Sequence, residues 1–409
     1  MHRTVPCPAC GGGIGRGLKK ETNMQIHSPA TEAAAAQIIR SATSPLWIQG
    51  GGSKLAFGRP ISGDILSSKG LTGITLYEPS EMVISARAGT PLAEIEAAIA
   101  AKNQMLPFEP MDFAALFGGG TPTVGGLAAC NLSGPRRIQS GAARDSILGL
   151  RFINGNGDPV KTGGRVMKNV TGLDLVKINC GAFGTLGFIT EITLKLLPVP
   201  QKAVTLVVKG LNDADAISTL STALGSPFEI SGAAHLPAGL GRDISRTLLR
   251  LENFEASIAY RVGELRKMFD QHIDINLLEG EASNRIWRGI RDVEFIATPT
   301  DKVIWKISCA PSNGPKIMAA LQPLGGRHFY DWGGGLIWLS LDEPHAGAVR
   351  GAVTQLGGYA TLVRAPESIR ATVPVFHPLS APLLALTKSV KASFDLRGIL
   401  NIGRMVEGI

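Results

Sequence analysis

The chain has 409 residues, 44% of them hydrophobic and 18% charged, with a formal net charge of +8. That balance supports two or three buried cores and excludes long disorder. The positive excess forms no clustered stripe, so nucleic acid is not an expected partner and small anions are.

Residues 1–23 carry Cys7-Pro-Ala-Cys10, which has the turn of a zinc knuckle. A structural zinc needs four ligands, and no second pair stands nearby, so no metal site is expected. The stretch reads as a disordered extension, with Met24 the expected first residue of the ordered part. Cys130, Cys180 and Cys309 complete an odd, scattered set of cysteines, which points to a reducing compartment without a disulfide framework. No stretch joins the cationic start, apolar core and small-residue site of a signal peptide.

Ser28 and Pro29 predict a helix start, and the alanine-rich run carries that helix to about Ser41. Residues 45–49 predict a short strand that enters Gly50-Gly-Gly-Ser-Lys54. A strand ending in three glycines aligns successive N–H groups as an anion nest, a natural seat for a pyrophosphate. Residues 82–88 predict another strand, followed by a helix capped by Thr90 and Pro91 whose Leu92, Ile95 and Ile99 share one face.

From Phe113 to Pro135 there is no charged residue, six glycines and two prolines. Gly and Pro interrupt it too often for a membrane helix. A charge-free, glycine-dense loop is what a chain needs where its backbone lies against a ligand. Residues 148–153 and 160–161 flank Asn154-Gly-Asn-Gly-Asp158, a hairpin signal, and residues 190–197 predict a strand stopped by Pro198 and Pro200. The first domain is therefore expected over residues 24–200.

Strands are then predicted at 204–208, 247–251, 303–308, 335–341 and 360–363. Helices are predicted from the Asn212 cap to Gly225, near 254–269, and at 315–321 and 344–356 with Pro in the first turn. This alternation implies an α+β domain with an antiparallel sheet over 201–380. In residues 381–409, Leu383, Leu386, Val390 and Phe394 form one apolar stripe of a last helix.

The Rossmann fingerprint is missing, the dipeptide Gly-Lys never occurs, and no His-x-x-x-His or His-x-His pairing exists among the seven histidines. Instead, Thr123-Val-Gly-Gly126, Asn131-Leu-Ser-Gly-Pro135 and Gly141 with Arg144-Asp145 resemble the FAD-binding domain of the vanillyl-alcohol-oxidase and p-cresol-methylhydroxylase superfamily. Asn156-Gly-Asp158, Lys168-Asn169, Thr171-Gly-Leu-Asp174, Gly184-Thr-Leu-Gly-Phe-Ile-Thr190 and the closing Asn401-Ile-Gly-Arg-Met405 keep the same order. The implied fold is a two-part FAD-binding domain followed by an α+β cap, with the C-terminal helix and loop returning to the flavin. Within the superfamily, Trp287-Arg288 and Tyr330-Asp-Trp-Gly-Gly334 are most similar to the FAD-binding subunits of bacterial glycolate oxidases.

The resemblance implies FAD held by Gly50, Gly51, Gly52, Ser53 and Lys54 in the first loop. It adds Thr121, Thr123, Val124, Gly125, Gly126, Asn131, Ser133, Gly134, Arg137 and Gly141 from the second stretch, then Gly187, Ile189 and Asn401. Ser53 stands where some relatives carry a flavin-linking His, so the FAD is expected to be non-covalent. The implied partners are a catalytic flavoprotein and an iron–sulfur subunit, with a small 2-hydroxy acid as substrate. The implied place is the cytoplasm, with at most peripheral attachment to the inner membrane. A 2-hydroxy acid needs a cation for its carboxylate and a base for its hydroxyl proton. Arg288, Arg327 and His328 are candidates by type, although a solvated or salt-bridged surface place is the commoner fate of each. An autonomous FAD-dependent 2-hydroxy-acid dehydrogenase and a flavin-stabilised assembly subunit without turnover stand beside the subunit reading.

Overall fold

The computed structural model describes residues 24–164, 173–270 and 274–409. The expected extension with Cys7 and Cys10 lies outside these residues, as do Lys168, Asn169, Thr171, Gly172 and His272.

The N-terminal part opens with β1 (Ile26–His27), α1 (Glu32–Ser41), β2 (Leu46–Gln49) and β3 (Asp64–Ser67); β3 pairs in parallel with β1 on one side and β2 on the other. The cap of α1 is Thr31, whose hydroxyl accepts from Ala34 N, not Ser28 as predicted. Both residues suit the role chemically, and the backbone becomes helical only after the later one. A five-stranded antiparallel sheet follows, built from β4 (Ile74–Glu78), β5 (Val83–Arg87), β6 (Ile147–Ile153), β7 (Pro159–Gly163) and β8 (Phe188–Lys195) in the order β4-β5-β8-β6-β7. The β6–β7 hairpin closes because Asn154 Oδ1 accepts from the N–H groups of Asn156 and Asp158. Against this sheet lie α2 (Leu92–Ala100), burying Leu92, Ile95 and Ile99 as predicted, and α3 (Val124–Cys130).

The cap carries eight antiparallel strands: β9 (Lys202–Lys209), β10 (Gly232–Leu236), β11 (Arg246–Asn253), β12 (Ile275–Glu279), β13 (Val303–Ser308), β14 (Arg327–Asp331), β15 (Leu336–Leu341) and β16 (Tyr359–Arg364). Their order is β12-β9-β11-β10-β14-β15-β13-β16. Successive side chains point to opposite faces, so the sheet has two different sides. Leu206, Leu249, Tyr330, Ile337 and Leu362 meet α4 (Asp213–Leu224), α5 (Glu255–Met268), α7 (Gly314–Leu321) and α8 (Ala346–Gln355). Val207, Leu248, Phe329, Trp338 and Val363 face α6 (Gly280–Arg291) and Phe57, Met111, Phe113 and Leu116 of the N-terminal part. Helix α4 starts at its Asn212 cap and ends at Gly225 as read from sequence. Helix α8 starts at Ala346, because His345 sits left-handed before it and Pro344 is outside.

The last helix is α9 (Ala381–Phe394). Its predicted apolar stripe divides: Phe394 packs beside Phe152 with ring centroids 6.0 Å apart, whereas Leu383 is 51% and Leu386 60% exposed. The one buried side chain of the helix is Lys391, whose ammonium donates to Thr185 O, Leu400 O and Asp395 Oδ2 at 2.6–2.8 Å. The Lys391 ammonium and the Phe394 ring together seat the helix, and the chain after it returns to β2, where Leu46 N donates to Ile399 O and Asn401 N to Leu46 O.

Candidate functional site

Strand β2 delivers the chain to Gly50 at the edge of a cleft, and the next four residues explain the glycines there. An added Cβ at Gly51 would lie 1.8 Å from Thr121 O, and one at Gly50 would lie 2.6 Å from Thr123 Oγ1. Across the gap Gly120, at φ +85°, would place a Cβ 2.4 Å from Ser53 N. The two glycine loops therefore run side by side at backbone contact, pinned by Thr121 N donating to Gly51 O at 3.0 Å. Side chains are excluded by space as well as by conformation.

The two loops differ in what they offer an anion. In α3 the first N–H groups are spent: Val124 donates to Thr90 O, Gly125 to Ala88 O and Gly126 to Thr123 Oγ1. Among the described residues, Gly51, Gly52, Ser53 and Lys54 make no N–H bond within the chain. Gly125 lines the cleft, but its N–H is taken by Ala88 O. Its hydrogen bond and its Cβ position, 2.8 Å from Ala88, serve the packing of α3 on β5. The free donors are those of the first loop, an anion nest in form.

The cleft, about 760 Å³ of empty space partly open to solvent, brings together Gly50–Lys54, Thr123, Gly125, Gly126, Gly187, Ile189 and Asn401 from the expected set. Ala129, Cys130, Phe183, Gly184 and Arg404 join them. Among the described residues, two cations, Lys54 and Arg404, line it, and no carboxylate does. Burial lowers the Lys54 ammonium from its ordinary value and brings the Arg404 guanidinium down to about 10. Arg404 donates to the carbonyls of Leu55, Phe57 and Arg59 and so fixes the loop beyond Lys54. Asn401, at φ 43°, accepts from Ile48 N at 2.7 Å and donates to Phe183 O at 2.6 Å. One side chain thus joins β2, the C-terminal loop and the Phe183–Gly184 turn.

The remaining expected cofactor residues lie off the cleft. Thr121 props the first loop, and Val124 is core. Asn131 caps α3 and accepts from Arg144 N, while Ser133 accepts from Ala143 N. Gly141 turns the chain at φ +80°. Gly134 O accepts from Trp332 Nε1, and Arg137 stacks on the Trp332 ring at 4.3 Å. These last two belong to the contact between domains.

None of the three catalytic candidates lines the cleft. Arg288 pairs with Glu281 at the surface, and Arg327 donates to Thr298 O. His328 alternates with Phe329 and so points to the helix-covered side of the cap sheet, where it donates to Asp213 at 2.9 Å. Burial pushes the Asp213 carboxyl up, but His235, His328 and Tyr330 together hold it well below the usual range. Trp287 donates to Thr205 Oγ1 and stacks under Arg250. Where the domains meet, Phe57, Phe113, Phe183 and Phe376 close ring on ring at 4.9–6.1 Å. Sequence reasoning missed Phe183 and Arg404 as wall residues, although Gly181 and Gly184 around Phe183 marked a tight turn there.

Glycines that a Cβ would fill, unspent N–H groups and a lining with cations alone fit an anionic dinucleotide. The FAD binding domain family matches residues 24–163. The glycolate oxidase subunit GlcE of Escherichia coli (strain K12) is 36% identical over 88% of this chain and 93% of its own length. The glycolate oxidase subunit GlcD of Bacillus subtilis (strain 168) is 30% identical over 51% of this chain and 42% of its own. Among solved structures, 4-ethylphenol oxidase from Gulosibacter chungangensis superposes with a TM-score of 0.71 at 13% identity, covering 93% of this chain and 88% of that one, a likeness of fold. The cofactor is FAD, and the chain belongs to the family of FAD-linked oxidoreductases that contains the glycolate oxidase subunit GlcE.

Proposed function

We propose that this chain is the FAD-binding subunit of a glycolate oxidase complex, oxidising glycolate to glyoxylate together with a catalytic flavoprotein and an iron–sulfur subunit. The observation that carries the reading is 36% identity to a glycolate oxidase subunit along nearly the full length of both chains. The cleft supports the division of labour. Among the described residues, no side chain of the cap lines it, and the aromatic rings fill the space beside it. A carboxylate clamp and a base on the cap are what a hydroxy acid requires, and their loss removes orientation and proton transfer together.

FAD, when bound, supplies a two-electron acceptor; the chain holds its diphosphate on the first glycine loop, with Lys54 and Arg404 supplying positive charge. An iron–sulfur cluster needs four ligands at motif spacing, so that centre belongs to a partner. No helix among the described residues is long and apolar enough to cross a membrane, and attachment to the inner membrane is therefore proposed as peripheral at most, with the bulk of the complex in the cytoplasm.

The test is anaerobic. Glycolate is expected to leave the flavin of the isolated chain oxidised, and dye-linked oxidation is expected once the two partner subunits are added. Rapid stoichiometric bleaching of the isolated chain would overturn the reading in favour of an autonomous 2-hydroxy-acid dehydrogenase.

The FAD is proposed to be non-covalent, because Ser53 follows the glycines and a serine hydroxyl is a weak nucleophile. Acid precipitation should release all the yellow colour to the supernatant. Flavin on the pellet would overturn this and direct attention to the Cys130 thiol, which also lines the cleft.

A further inference from the structure

We propose that a second groove, lined by Arg136, Ser146 and Lys195 where the N-terminal part meets the cap, is a binding site for a small organic carboxylate. It holds about 970 Å³ of empty space partly open to solvent. The helical turns Arg137–Ser140 and Ala143–Ser146, the end of β8 and Glu252 of β11 contribute to its walls. None of its lining residues also lines the FAD cleft. The site stands apart from the functional reading above.

The groove offers donors without acceptors. Arg136 is 6% exposed; its two terminal nitrogens hold Glu252 at 2.6 and 2.7 Å, and its Nε–H has no partner. Ser146 is 2% exposed, and its hydroxyl makes no hydrogen bond within the chain. The Gln139 amide and the Ser140 hydroxyl are likewise unengaged. Lys195 closes β8, and among the described residues its ammonium has neither a hydrogen bond nor an ion pair. Buried polar groups are rarely left unmade, and two of them on one groove mark a place that a ligand completes.

Charge defines the ligand. The carboxylates of the lining, Glu252 and Asp145, are already engaged. Glu252 belongs to a set with Arg136, Arg250 and Glu109 that holds two charges of each sign. Asp145 accepts from Ala142 N and lies 3.9 Å from Arg144. Lys195 is the positive charge left over, and one carboxylate balances it. Charge-assisted bonds from Lys195 and Arg136 are the strong kind. Met105, Pro107, Leu197 and Pro198 supply an apolar wall, with Leu197 paired to Met105. Such a wall favours an anion with a hydrocarbon body over a bare inorganic ion. Arg136 also reaches Glu252 across the contact between domains, so an anion seated here reinforces that contact.

The test is calorimetric titration of the full FAD-loaded chain with benzoate, acetate and inorganic phosphate. Benzoate is expected to fill one site with a Kd of about 1 mM. Acetate lacks the apolar body and phosphate carries more charge, so each should bind at least about 10-fold more weakly. Lys195→Met and, separately, Ser146→Ala should each weaken benzoate by about 10-fold. Flavin content and absorbance should stay as in wild type, because neither residue lines the FAD cleft. A wild-type chain with no saturable benzoate binding overturns the proposal. Binding that survives both substitutions, or that expels FAD, overturns the location. Phosphate binding tighter than benzoate overturns the carboxylate assignment.

Discussion

Gly51→Ala is expected to purify colourless. The new Cβ would sit 1.8 Å from the Thr121 carbonyl oxygen, far inside van der Waals contact, and the obstacle is backbone. The two glycine loops must then part, and the unspent N–H groups of Gly51–Lys54 leave their alignment. Overpacking of this kind costs about 1–3 kcal/mol, which converts to a loss of roughly 5- to 150-fold in FAD affinity if it falls on the bound state. The FAD-dependent rise in melting temperature should shrink with it. Two neighbours separate this from general loop damage. Gly119→Ala meets nothing within 4 Å and should retain the flavin. Gly125→Val would press α3 off Ala88 and should lower the stability of the FAD-free protein as well. Flavin titration and melting with and without FAD read all three. Wild-type affinity in Gly51→Ala would show that the first loop does not hold the diphosphate.

The distribution of these roles shows what was readable before any coordinates. A run of three glycines is a local signal with a local cause, and the nest could be placed from Gly50–Lys54 alone. The same holds for the Asn212 cap and the Gly225 end of α4. Spending of N–H groups is not local: the Gly125 donor is taken by Ala88, 37 positions away in sequence, and nothing in the Gly-Gly dipeptide announces it. Strand β10 escaped notice because Gly232-Ala-Ala-His-Leu236 has no β-branched residue; hydrogen bonding to β11 and β14 makes it a strand. Helix α6 buries Ser283, Ile286, Trp287 and Ile290 at helical spacing opposite a polar face, a period present in the sequence that the reading passed over. In α9 the period was read correctly, but spacing alone does not say which of its apolar residues pack: Phe394 meets Phe152, while Leu383 and Leu386 stay exposed.

The contact between the domains carries the second large effect. Glu109 in the flavin domain accepts from Arg250 of β11 through both oxygens, at 2.7 and 2.9 Å. Arg136, also in the flavin domain, donates to Glu252 of β11 at 2.7 Å. The crossed pairs are charge-balanced, and Arg250 is stacked on Trp287 and bonded to Ser231. Burial pushes the Glu109 carboxyl up, but Arg250 and then Arg136 outweigh it and bring it down to about 2. A depressed carboxyl stabilises the fold in full above its unfolded value near 4.5 and loses that contribution as pH falls toward about 2. The contribution at neutral pH is roughly 3 kcal/mol. Glu109→Gln leaves Arg250 buried without its bidentate partner, a loss of about 3–5 kcal/mol at pH 7. Its urea midpoint should therefore fall well below that of wild type at pH 7, with the gap narrowing as pH drops from 4.5 toward 2. Adding Arg250→Met removes the orphaned cation and leaves the Arg136–Glu252 pair neutral as a unit. The double variant should recover most of the lost stability, because replacing both members of a buried pair costs far less than removing one. A gap between Glu109→Gln and wild type that stays constant from pH 7 to pH 3 would mean that the carboxylate's charge does not hold the domains together. A double variant no more stable than the single one would place the loss in packing instead.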